Sequence, residues 1–442
     1  MQIETVRTEG LGDSTYVLAH NGRGIIVDPQ RDIDRFTSVV DNLRVEVRWV
    51  FETHLHNDYV SGAKDVARAL GAELVLPAGA APSYRHRPAF HREELTANEL
   101  SIRPLHTPGH TPEHVSYVVI IEGQEVAVFS GGSLLVGSSG RSDLLGMERA
   151  DSLARLQYRS IKRLADLPDH VGLYPTHGAG SFCTASQAAT ETSTIGNEKR
   201  TNPGLQHTDV DSFVADQLSG LVPYPSYYRF MGPTNLKGLD PVSLTPPPVI
   251  DREGFDEIDP EVTIVDARPT ADFASGHIPG SLSMELRKDF GVWVGWVTPF
   301  NSRLLLVLNP DQSVEEAQRQ LARIGYDRIV GVATDLDDWD IDLSSYPIHD
   351  VASFTTRMGG GVHVLDVRAP NEWESGTVDD SIRIYAPDLA TAPPPDLDPS
   401  QPVLVACETG YRASLAASLL QRQGYHPEVL IGAGIPEVLT TS

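Results

Sequence analysis

The sequence predicts an α/β protein with a layered N-terminal domain, a linker and two copies of a smaller α/β module. Short β-branched runs alternate with helix-like stretches over about the first 200 residues. A proline-rich segment then interrupts the pattern, and a short motif recurs beyond it at a fixed offset. At about 150 residues per domain, the 442 residues allow roughly three domains, each large enough to bury a core.

The N-terminal domain is expected over residues 1–200. Its apolar runs have the length and β-branched content of strands, and the stretches between them have helical periodicity. The predicted strands are 24–28, 45–51, 115–121 and 126–129, and the predicted helices are 64–70 and 151–164.

Residues 201–248 are expected to form an extension and a linker. The proline-rich stretch 241–248 cannot continue a helix or a central strand. An aromatic segment precedes it, with Tyr224, Tyr227, Tyr228 and Phe230. This segment is either an arm packed on a neighbouring domain or a lid over a substrate.

An internal repeat predicts two further domains, over residues 249–347 and 348–442. The sequence IVDAR, which ends at Arg268, recurs as LDVR ending at Arg368, at an offset of 100 residues. In each copy a second apolar strand, at 304–308 or 403–406, leads into a helical stretch. Each copy is therefore predicted to be a small α/β sandwich.

Charge and cysteine content restrict the partners and the compartment. Lys and Arg number 35 against 60 Asp and Glu, a net charge of −25 that repels nucleic-acid phosphates and anionic membranes. Cys183 and Cys407 are too few for a disulfide framework, and the N-terminal sequence lacks the apolar core of a signal peptide. We expect a cytoplasmic protein with neither a nucleic-acid nor a membrane partner, and leave its oligomeric state open, a homo-oligomer included.

Four histidines follow strand-like runs at three separate points of the chain. His54 and His56 alternate in the motif THLHND, which would place both imidazoles on one side of an extended segment, next to Asp58. His110 lies in the motif TPGHT and His177 in PTHG. A single histidine is usually a hydrogen-bonding residue of the core or surface, but this ordered set indicates a metal site.

Over about the first 200 residues, this set resembles the metallo-β-lactamase superfamily, and in particular its persulfide dioxygenase branch. The stretches GRSDL at 140–144 and GAGS at 178–181 are also similar to that branch. The resemblance implies an αββα sandwich with one Fe(II) held by two His and one Asp, and open positions for O₂ and a persulfide. His54 and His110 match the two histidine positions, and Arg141 becomes a candidate substrate-binding residue.

Two positions depart from the family pattern. Tyr59 stands where dinuclear relatives have a histidine ligand of the second metal, which argues against dinuclear hydrolysis. Gly132 stands where the family has the aspartate ligand, so that Gly132→Asp is expected to restore Fe(II) binding. Three outcomes stay open: His56 completes a three-histidine site, Asp58 or water completes the shell, or the domain binds no metal tightly. Zinc is the alternative metal.

In the C-terminal copy, Cys407 follows the strand-like run 403–406 and precedes a helical stretch. The loop amides, the helix dipole and Arg412 would stabilise a thiolate or a persulfide there. The C-x4-R spacing gives a tighter loop than the C-x5-R of cysteine phosphatases, which suits sulfur chemistry. The predicted catalytic residues are Cys407 and Arg412, and the predicted substrate-binding residues of the loop are Glu408, Thr409, Gly410 and Tyr411.

This copy resembles a rhodanese, and the copy before it resembles an inactive one. Leu308 stands opposite Cys407, so the earlier copy cannot perform thiol chemistry and is expected to act as a spacer or docking domain. Cys183 is either a small buried apolar residue or a thiol at the metal pocket that receives sulfur from Cys407.

The order of the domains is similar to that of persulfide dioxygenase and rhodanese fusions. The leading hypothesis is sulfide or persulfide detoxification, in which sulfur transfer at Cys407 is coupled to persulfide oxidation at a mononuclear metal site. A low-molecular-weight thiol persulfide or thiosulfate would be the substrate. The alternatives are a sulfurtransferase with a non-catalytic metallo-domain and a non-catalytic persulfide-binding protein.

Overall fold

The chain forms two compact units, Met1–Ser243 with Ala322–Gly325, and Leu244–Leu321 with Tyr326–Ser442. In the part of the chain that the structure describes, no helix is long and apolar enough to cross a membrane. The computed structural model describes residues 1–184, 191–219, 221–334, 336, 339–360, 362–395 and 397–441. The domain boundaries expected from the sequence stay predictions.

Two six-stranded sheets form the first unit. Its strands are β1 (Gln2–Thr8), β2 (Asp13–His20), β3 (Arg23–Val27), β4 (Glu46–Phe51), β5 (Glu73–Pro77), β6 (Arg87–Ala89), β7 (Leu95–Ala97), β8 (Leu100–His106), β9 (Val115–Ile121), β10 (Gln124–Gly131), β11 (Leu134–Leu135), β12 (Ser138–Ser139), β13 (Gly172–Pro175) and β14 (Ser193–Thr194). The sheet orders are β1-β2-β3-β4-β5-β6 and β14-β13-β10-β9-β8-β7, and β11 pairs with β12 in a separate hairpin.

Helices pack on the outer faces of both sheets and on the loop that follows β4. They are α1 (Asp34–Leu43), α2 (Ala63–Leu70), α3 (Met147–Ala165), α4 (Ile195–Thr201), α5 (Pro203–Gln206), α6 (Val210–Ser219) and α7 (Tyr228–Lys237). Apolar side chains of the two sheets meet between them, as in the Phe51 and Tyr117 rings at 4.5 Å. Phe36 of α1 packs on the outside of the first sheet, and Ile161 of α3 on the outside of the second. This is the αββα sandwich that the sequence predicted.

Parallel pairing brings the ends of four strands to one edge of the sandwich. β3 is parallel to β4, and the residues that follow them are joined there, because the Thr53 amide donates to Asp28 Oδ1 at 2.7 Å. β10 is parallel to β13, and the Thr176 amide donates to the Gly131 carbonyl at 3.1 Å. The Thr176 hydroxyl also donates to Asp28 and so joins the two sheets. Polar residues from distant parts of the chain therefore collect at this edge.

The second unit contains two parallel sheets, ordered β16-β15-β17-β18 and β19-β23-β22-β20-β21. The elements of the first copy are α8 (Arg252–Asp256), β15 (Thr263–Asp266), α9 (Thr270–Ser275), β16 (Leu282–Ser283), α10 (Phe290–Val297), β17 (Leu304–Val307), α11 (Val314–Arg323) and β18 (Ile329–Ala333). Those of the second are β19 (Ile348–His349), α12 (Val351–Gly359), β20 (His363–Asp366), a 3₁₀ helix (Pro370–Ser375), β21 (Ile382–Arg383), a 3₁₀ helix (Ala386–Ala390), β22 (Pro402–Ala406), α13 (Tyr411–Arg422), β23 (His426–Leu430) and α14 (Ile435–Thr441).

Candidate functional site

Three buried imidazoles converge at the polar edge of the αββα sandwich. His54 follows β4, His110 lies between β8 and β9, and His177 follows β13. One ring nitrogen of each lies within 4.8 Å of the others, and the Nε2 atoms of His54 and His177 are 3.3 Å apart. The structure thus brings together three of the histidines that the sequence singled out.

Outer hydrogen bonds fix the orientation of two of these rings. His110 Nδ1 donates to the Arg141 carbonyl oxygen at 2.8 Å, because a carbonyl can only accept. His177 Nδ1 donates to Asp13 Oδ1, also at 2.8 Å. With the proton on Nδ1, the Nε2 lone pair of each ring is directed into the cluster.

A short relay holds the third ring in the same way. His54 Nδ1 donates to Thr53 Oγ1 at 2.8 Å, and that hydroxyl in turn donates to Asp28 Oδ2 at 2.7 Å. Burial lowers the pKa of both His54 and His110 well below the ordinary value, and the charges of neighbouring histidines lower it further. Burial also lowers the pKa of His177. The three rings are neutral at pH 7 and can act as metal ligands.

His56 has a different environment. Its Nε2 lies 2.9 Å from Glu52 Oε2, 3.3 Å from Asp28 Oδ1 and 3.0 Å from the Tyr59 hydroxyl. Burial alone would lower the pKa of His56, but the two carboxylates outweigh it and raise the pKa well above the ordinary value. His56 therefore pairs with two carboxylates through Nε2, whereas its Nδ1 has no hydrogen-bond partner among the described residues.

Asp58 lies beside His177 and a second buried carboxyl. Its Oδ2 is 3.4 Å from His177 Nδ1, the nitrogen that also contacts Asp13. Burial raises the pKa of Asp13 and Asp58 to about 7, and the charge of Asp13 adds to the shift at Asp58. The two carboxyls can hold a proton next to the cluster near neutral pH.

The two glycines at the end of β10 leave room for imidazole rings. The Gly132 amide donates to His114 Nε2 at 2.9 Å, so that ring nitrogen is already used. A Cβ on Gly132 would lie 2.2 Å from His110 Cδ2. The His110 ring thus fills the space that a side chain at position 132 would need, which the sequence analysis did not foresee. Gly131, with φ of +57°, takes the left-handed conformation there.

Arg141, a predicted substrate-binding residue, is 1% exposed and fully engaged with the protein. Its guanidinium forms a two-point ion pair with Asp143 at 2.7 Å and donates to the carbonyl oxygens of Phe182 and Val222. It also stacks over the Tyr224 ring, 4.8 Å from the centroid. A substrate anion would have to displace these contacts, and substrate binding by Arg141 stays a prediction. Arg141 positions the segment that begins at residue 222.

The aromatic segment packs on the loop that follows β4, which carries His56 and Asp58, in its own unit. The Tyr227 hydroxyl donates to the Asp58 carbonyl oxygen at 2.9 Å. From α7, Asn235 Nδ2 donates to the carbonyl oxygens of His56 and Tyr59, each at 2.9 Å. The segment therefore packs on the loop that carries His56 and Asp58 in its own unit, and not on a neighbouring domain as the arm alternative expected.

Cys183 is fully buried in the same unit. Burial raises the pKa of its thiol well above the ordinary value, and the charges of Asp58 and Asp13 raise it further. The thiol is therefore protonated and close to these carboxyls, which does not make it a ready sulfur acceptor.

In the second unit, Cys407 lies in the loop between β22 and α13. The Gly410 amide donates to Cys407 Sγ at 3.2 Å, which places an N–H dipole on the sulfur. Gly410 has φ of +101°, a conformation that side chains rarely adopt. Cys407 is only 1% exposed, whereas the adjacent Glu408 and Thr409 are exposed. The loop thus brings solvent-facing groups next to a shielded thiol.

Arg412 binds a carboxylate at the base of this loop. Its guanidinium holds both oxygens of Glu372, one of them at 2.8 Å, and lies 3.5 Å from Glu408. Tyr411 is buried beneath Arg287 of the first copy, whose guanidinium is 4.4 Å from the ring centroid. The catalytic role of Cys407 and Arg412 stays a prediction, as does substrate binding by the other loop residues.

Comparisons with known proteins agree with this architecture. The family model of the metallo-β-lactamase superfamily matches residues 8–177, and that of the rhodanese-like domain matches residues 254–341 and 350–437. A probable metallo-hydrolase of Burkholderia pseudomallei (strain 1710b) is 32% identical over 209 residues, which are 41% of this chain and 68% of that protein.

Other relatives match between 37% and 76% of the chain. A hydroxyacylglutathione hydrolase of Methylobacillus flagellatus is 28% identical over 164 residues, 37% of this chain and 60% of that protein, less than two thirds of its length. The crystal structure of a metallo-beta-lactamase from Staphylococcus aureus subsp. aureus COL has a TM-score of 0.67 and 27% identity, and the match covers 76% of this chain and 99% of that one. ETHE1 from Myxococcus xanthus has a TM-score of 0.46 and 26% identity, covering 53% and 98%.

The fold and its buried histidine and aspartate groups support a metal cofactor. Neutral imidazoles suit zinc as well as iron, and the protein groups around them do not select one metal over the other.

Proposed function

Because the chain belongs to the metallo-β-lactamase superfamily and carries two rhodanese-like domains after that region, we propose that it is an enzyme of sulfur metabolism. It would transfer sulfane sulfur at Cys407 and oxidise a low-molecular-weight persulfide at a mononuclear Fe(II) site. The observation that carries this proposal is the Gly410 amide directed at Cys407 Sγ, 3.2 Å away, in a loop that ends at Arg412.

The transfer at Cys407 would exchange one S–S bond for another. The thiolate attacks the sulfane sulfur of thiosulfate, a new S–S bond forms, and the old S–S bond breaks so that sulfite leaves with the electron pair. The Gly410 N–H stabilises negative charge on the sulfur it faces. A thiol then takes the outer sulfur as its own persulfide, and Cys407 returns to the thiolate.

Oxidation would take place in the N-terminal unit, where a bound metal ion supplies dioxygen activation. The overall change is RSSH + O₂ + H₂O → RSH + H₂SO₃, in which persulfide sulfur is oxidised and dioxygen is reduced. His54, His110 and His177 would hold the ion. Asp13 and Asp58, whose carboxyl pKa values are raised to about 7, can take up a proton beside it.

A second candidate is a sulfurtransferase whose metallo-domain does not catalyse, and Gly132 is the residue that favours it. Glycine offers no carboxylate at the position where the family resemblance places one. A non-catalytic persulfide-binding protein would show neither activity.

Two assays on the full chain separate these functions. Thiocyanate formation from thiosulfate and cyanide should be abolished in Cys407→Ser and retained in Cys183→Ser, the matched control at the other cysteine. Oxygen uptake and sulfite release from glutathione persulfide should occur with the Fe(II)-loaded protein. Sulfur transfer without oxygen uptake would favour the second candidate, and transfer that survives Cys407→Ser would contradict the assignment of the thiol.

A further inference from the structure

We propose that His54, His110 and His177 bind one divalent transition-metal ion through their Nε2 atoms, without a carboxylate ligand. This set differs from the two-histidine, one-aspartate site that the resemblance implies. It deepens the proposed function, on which its catalytic meaning rests, but it is tested by metal binding alone.

The lone pairs of the three imidazole rings are arranged for binding one cation. Each of the three rings donates its Nδ1 proton outward, to Thr53, the Arg141 carbonyl or Asp13. Three acceptor nitrogens therefore face one another in a buried space. His110 Nε2 has no hydrogen-bond partner among the described residues. Buried acceptors without a donor are costly, and a cation at their centre removes that cost.

The distances between the ring nitrogens also fit a single metal ion. Ligand nitrogens at about 2.0–2.1 Å from a tetrahedral ion lie about 3.3–3.4 Å apart. The Nε2 atoms of His54 and His177 are 3.3 Å apart. His110 is the third ring of this group, whose ring nitrogens all lie within 4.8 Å of one another, a spacing at which the group could hold one ion.

Two other groups of residues meet the same distance criterion, Asp28 with His54 and His56, and His56 with Asp58 and His177. Both require His56. Its Nε2 is within hydrogen-bond reach of Glu52 Oε2 and the Tyr59 hydroxyl, and in contact with Asp28. His56 Nε2 is therefore engaged with two carboxylates, while His56 Nδ1 has no hydrogen-bond partner among the described residues. His110 belongs to the proposed set alone, so substitutions of His110 and His56 distinguish the three sets.

A set of three neutral ligands leaves the full charge of the dication in the site. Asp13 offsets part of it through His177, since a carboxylate that accepts from a ligating imidazole makes that ring a stronger donor. The remaining charge favours an anion at an open coordination position. A thiolate or persulfide anion is the chemical class that fits both this charge and the preference of such metals for sulfur.

The test uses the full chain, stripped with a chelator and titrated anaerobically with Fe(II), and in parallel with Zn(II). We expect one ion per chain by elemental analysis and three imidazoles by X-ray absorption at the zinc edge. His110→Asn and His177→Asn should each weaken binding at least about 100-fold, because each removes a ligand. His56→Asn should still bind one ion. Loss of the ion in His56→Asn, with retention in His110→Asn, would overturn the proposal.

His56→Asn leaves Asp28 and Glu52 without a counter-charge and can prevent folding, so His110→Asn is decisive on its own. A folded His110→Asn chain with the parent affinity for Zn(II) would overturn the three-histidine set. Failure of the proposed function looks different, because the ion would bind as described while oxygen uptake with a persulfide stays at background. Cys407→Ser serves as the control and should bind metal as the parent does.

Discussion

Gly132→Asp would add a carboxylate beside the histidine cluster, the change that the family resemblance suggests as a repair. The structure predicts the opposite result, a chain with less bound metal. A Cβ on Gly132 would lie 2.2 Å from Cδ2, 2.7 Å from Cγ and 2.8 Å from Nε2 of His110. Ordinary contacts start at 3.4 Å, so the ring must move by about 1 Å or more.

The cost has two parts. Moving the ring breaks the 2.8 Å hydrogen bond from His110 Nδ1 to the Arg141 carbonyl oxygen, and a buried group left without its partner costs about 1–3 kcal/mol. Forcing a side chain into a filled space costs about another 1–3 kcal/mol. Together they lower the free energy of unfolding by about 2–6 kcal/mol, and His110 Nε2 leaves the cluster.

The assay compares parent, Gly132→Ala and Gly132→Asp as full chains. Alanine is the matched control, since it adds the same Cβ without a carboxylate. We expect both variants to bind less Fe(II) and Zn(II) by elemental analysis and to unfold at lower urea concentration by circular dichroism. If Gly132→Asp folds and binds more Fe(II) than the parent while Gly132→Ala binds less, the carboxylate is a ligand and the steric reasoning is refuted.

Three further predictions concern the second rhodanese-like copy. Gly410→Ala would place a Cβ 2.9 Å from Ile431 Cα, at a residue whose φ is +101°. We expect thiosulfate:cyanide turnover to fall at least about 10-fold and the free energy of unfolding to fall by about 1–3 kcal/mol. Unchanged turnover would show that the Cys407 loop tolerates another backbone conformation. Burial opposes ionisation of Glu372, but Arg412 outweighs it and holds its pKa below the usual range. The stabilisation from this pair is therefore complete above about pH 4.5 and is lost as the pH falls. Urea unfolding of Glu372→Gln should show a flatter pH profile below that value, and a profile as steep as the parent's would assign the titration elsewhere. Arg368→Met should destabilise the chain by about 3–5 kcal/mol in the same unfolding assay, because it leaves the buried Asp366 carboxylate without its cationic partner; a loss under 1 kcal/mol would contradict this.

Hydrophobic periodicity predicted four strands and two helices of the sandwich, but not all their ends. The strand predicted at 115–121 coincides with β9. β10 begins at Gln124, before the predicted 126, and the prediction missed Gln124 and Glu125 because both are polar, the first exposed and the second only partly buried. α3 begins at Met147, before the predicted 151. The prediction missed the first turn of the helix because that turn is largely exposed and lacks the apolar pattern. An apolar pattern in the sequence identifies only the buried part of a strand or helix. The backbone hydrogen bonds that define the element continue into its exposed ends.

The candidate site was predictable only where its residues follow strands in recognisable motifs. His54, His110 and His177 were found in that way. Their partners were not, because the Asp13 carboxylate that holds His177 is 164 residues away in sequence. Asp28 directly follows a buried strand, which is only a weak sequence signal for a site residue. The structure adds that its φ is +54°.

The role of His56 depends on contacts that no spacing rule contains. The i, i+2 pattern predicted two imidazoles side by side, and the rings of His54 and His56 are indeed 4.1 Å apart. Whether a ring offers a lone pair or a proton is decided by its other neighbours, here Glu52 and Asp28. A motif can therefore predict which residues meet, but not which of them can bind a metal.

The two rhodanese-like copies show the same separation between fold and chemistry. Arg268 and Arg368 each form a buried ion pair with the aspartate two residues earlier, at 2.7 Å in both copies. Each also donates to a glycine carbonyl oxygen at 2.7 Å, so this clamp maintains the strand end whether or not a thiol is present.

The loop that follows the second apolar strand carries the difference between the copies. Glu372 binds Arg412 beside Cys407, whereas the equivalent Asp272, 100 residues earlier, accepts from Asn309 Nδ2 at 2.7 Å, next to a fully buried Leu308. The first copy retains the acidic residue and replaces its cationic partner with a neutral amide. Because the clamp does not involve Cys407 or Arg412, both copies can share it although only the second has the thiol and the arginine on which the proposed sulfur transfer rests.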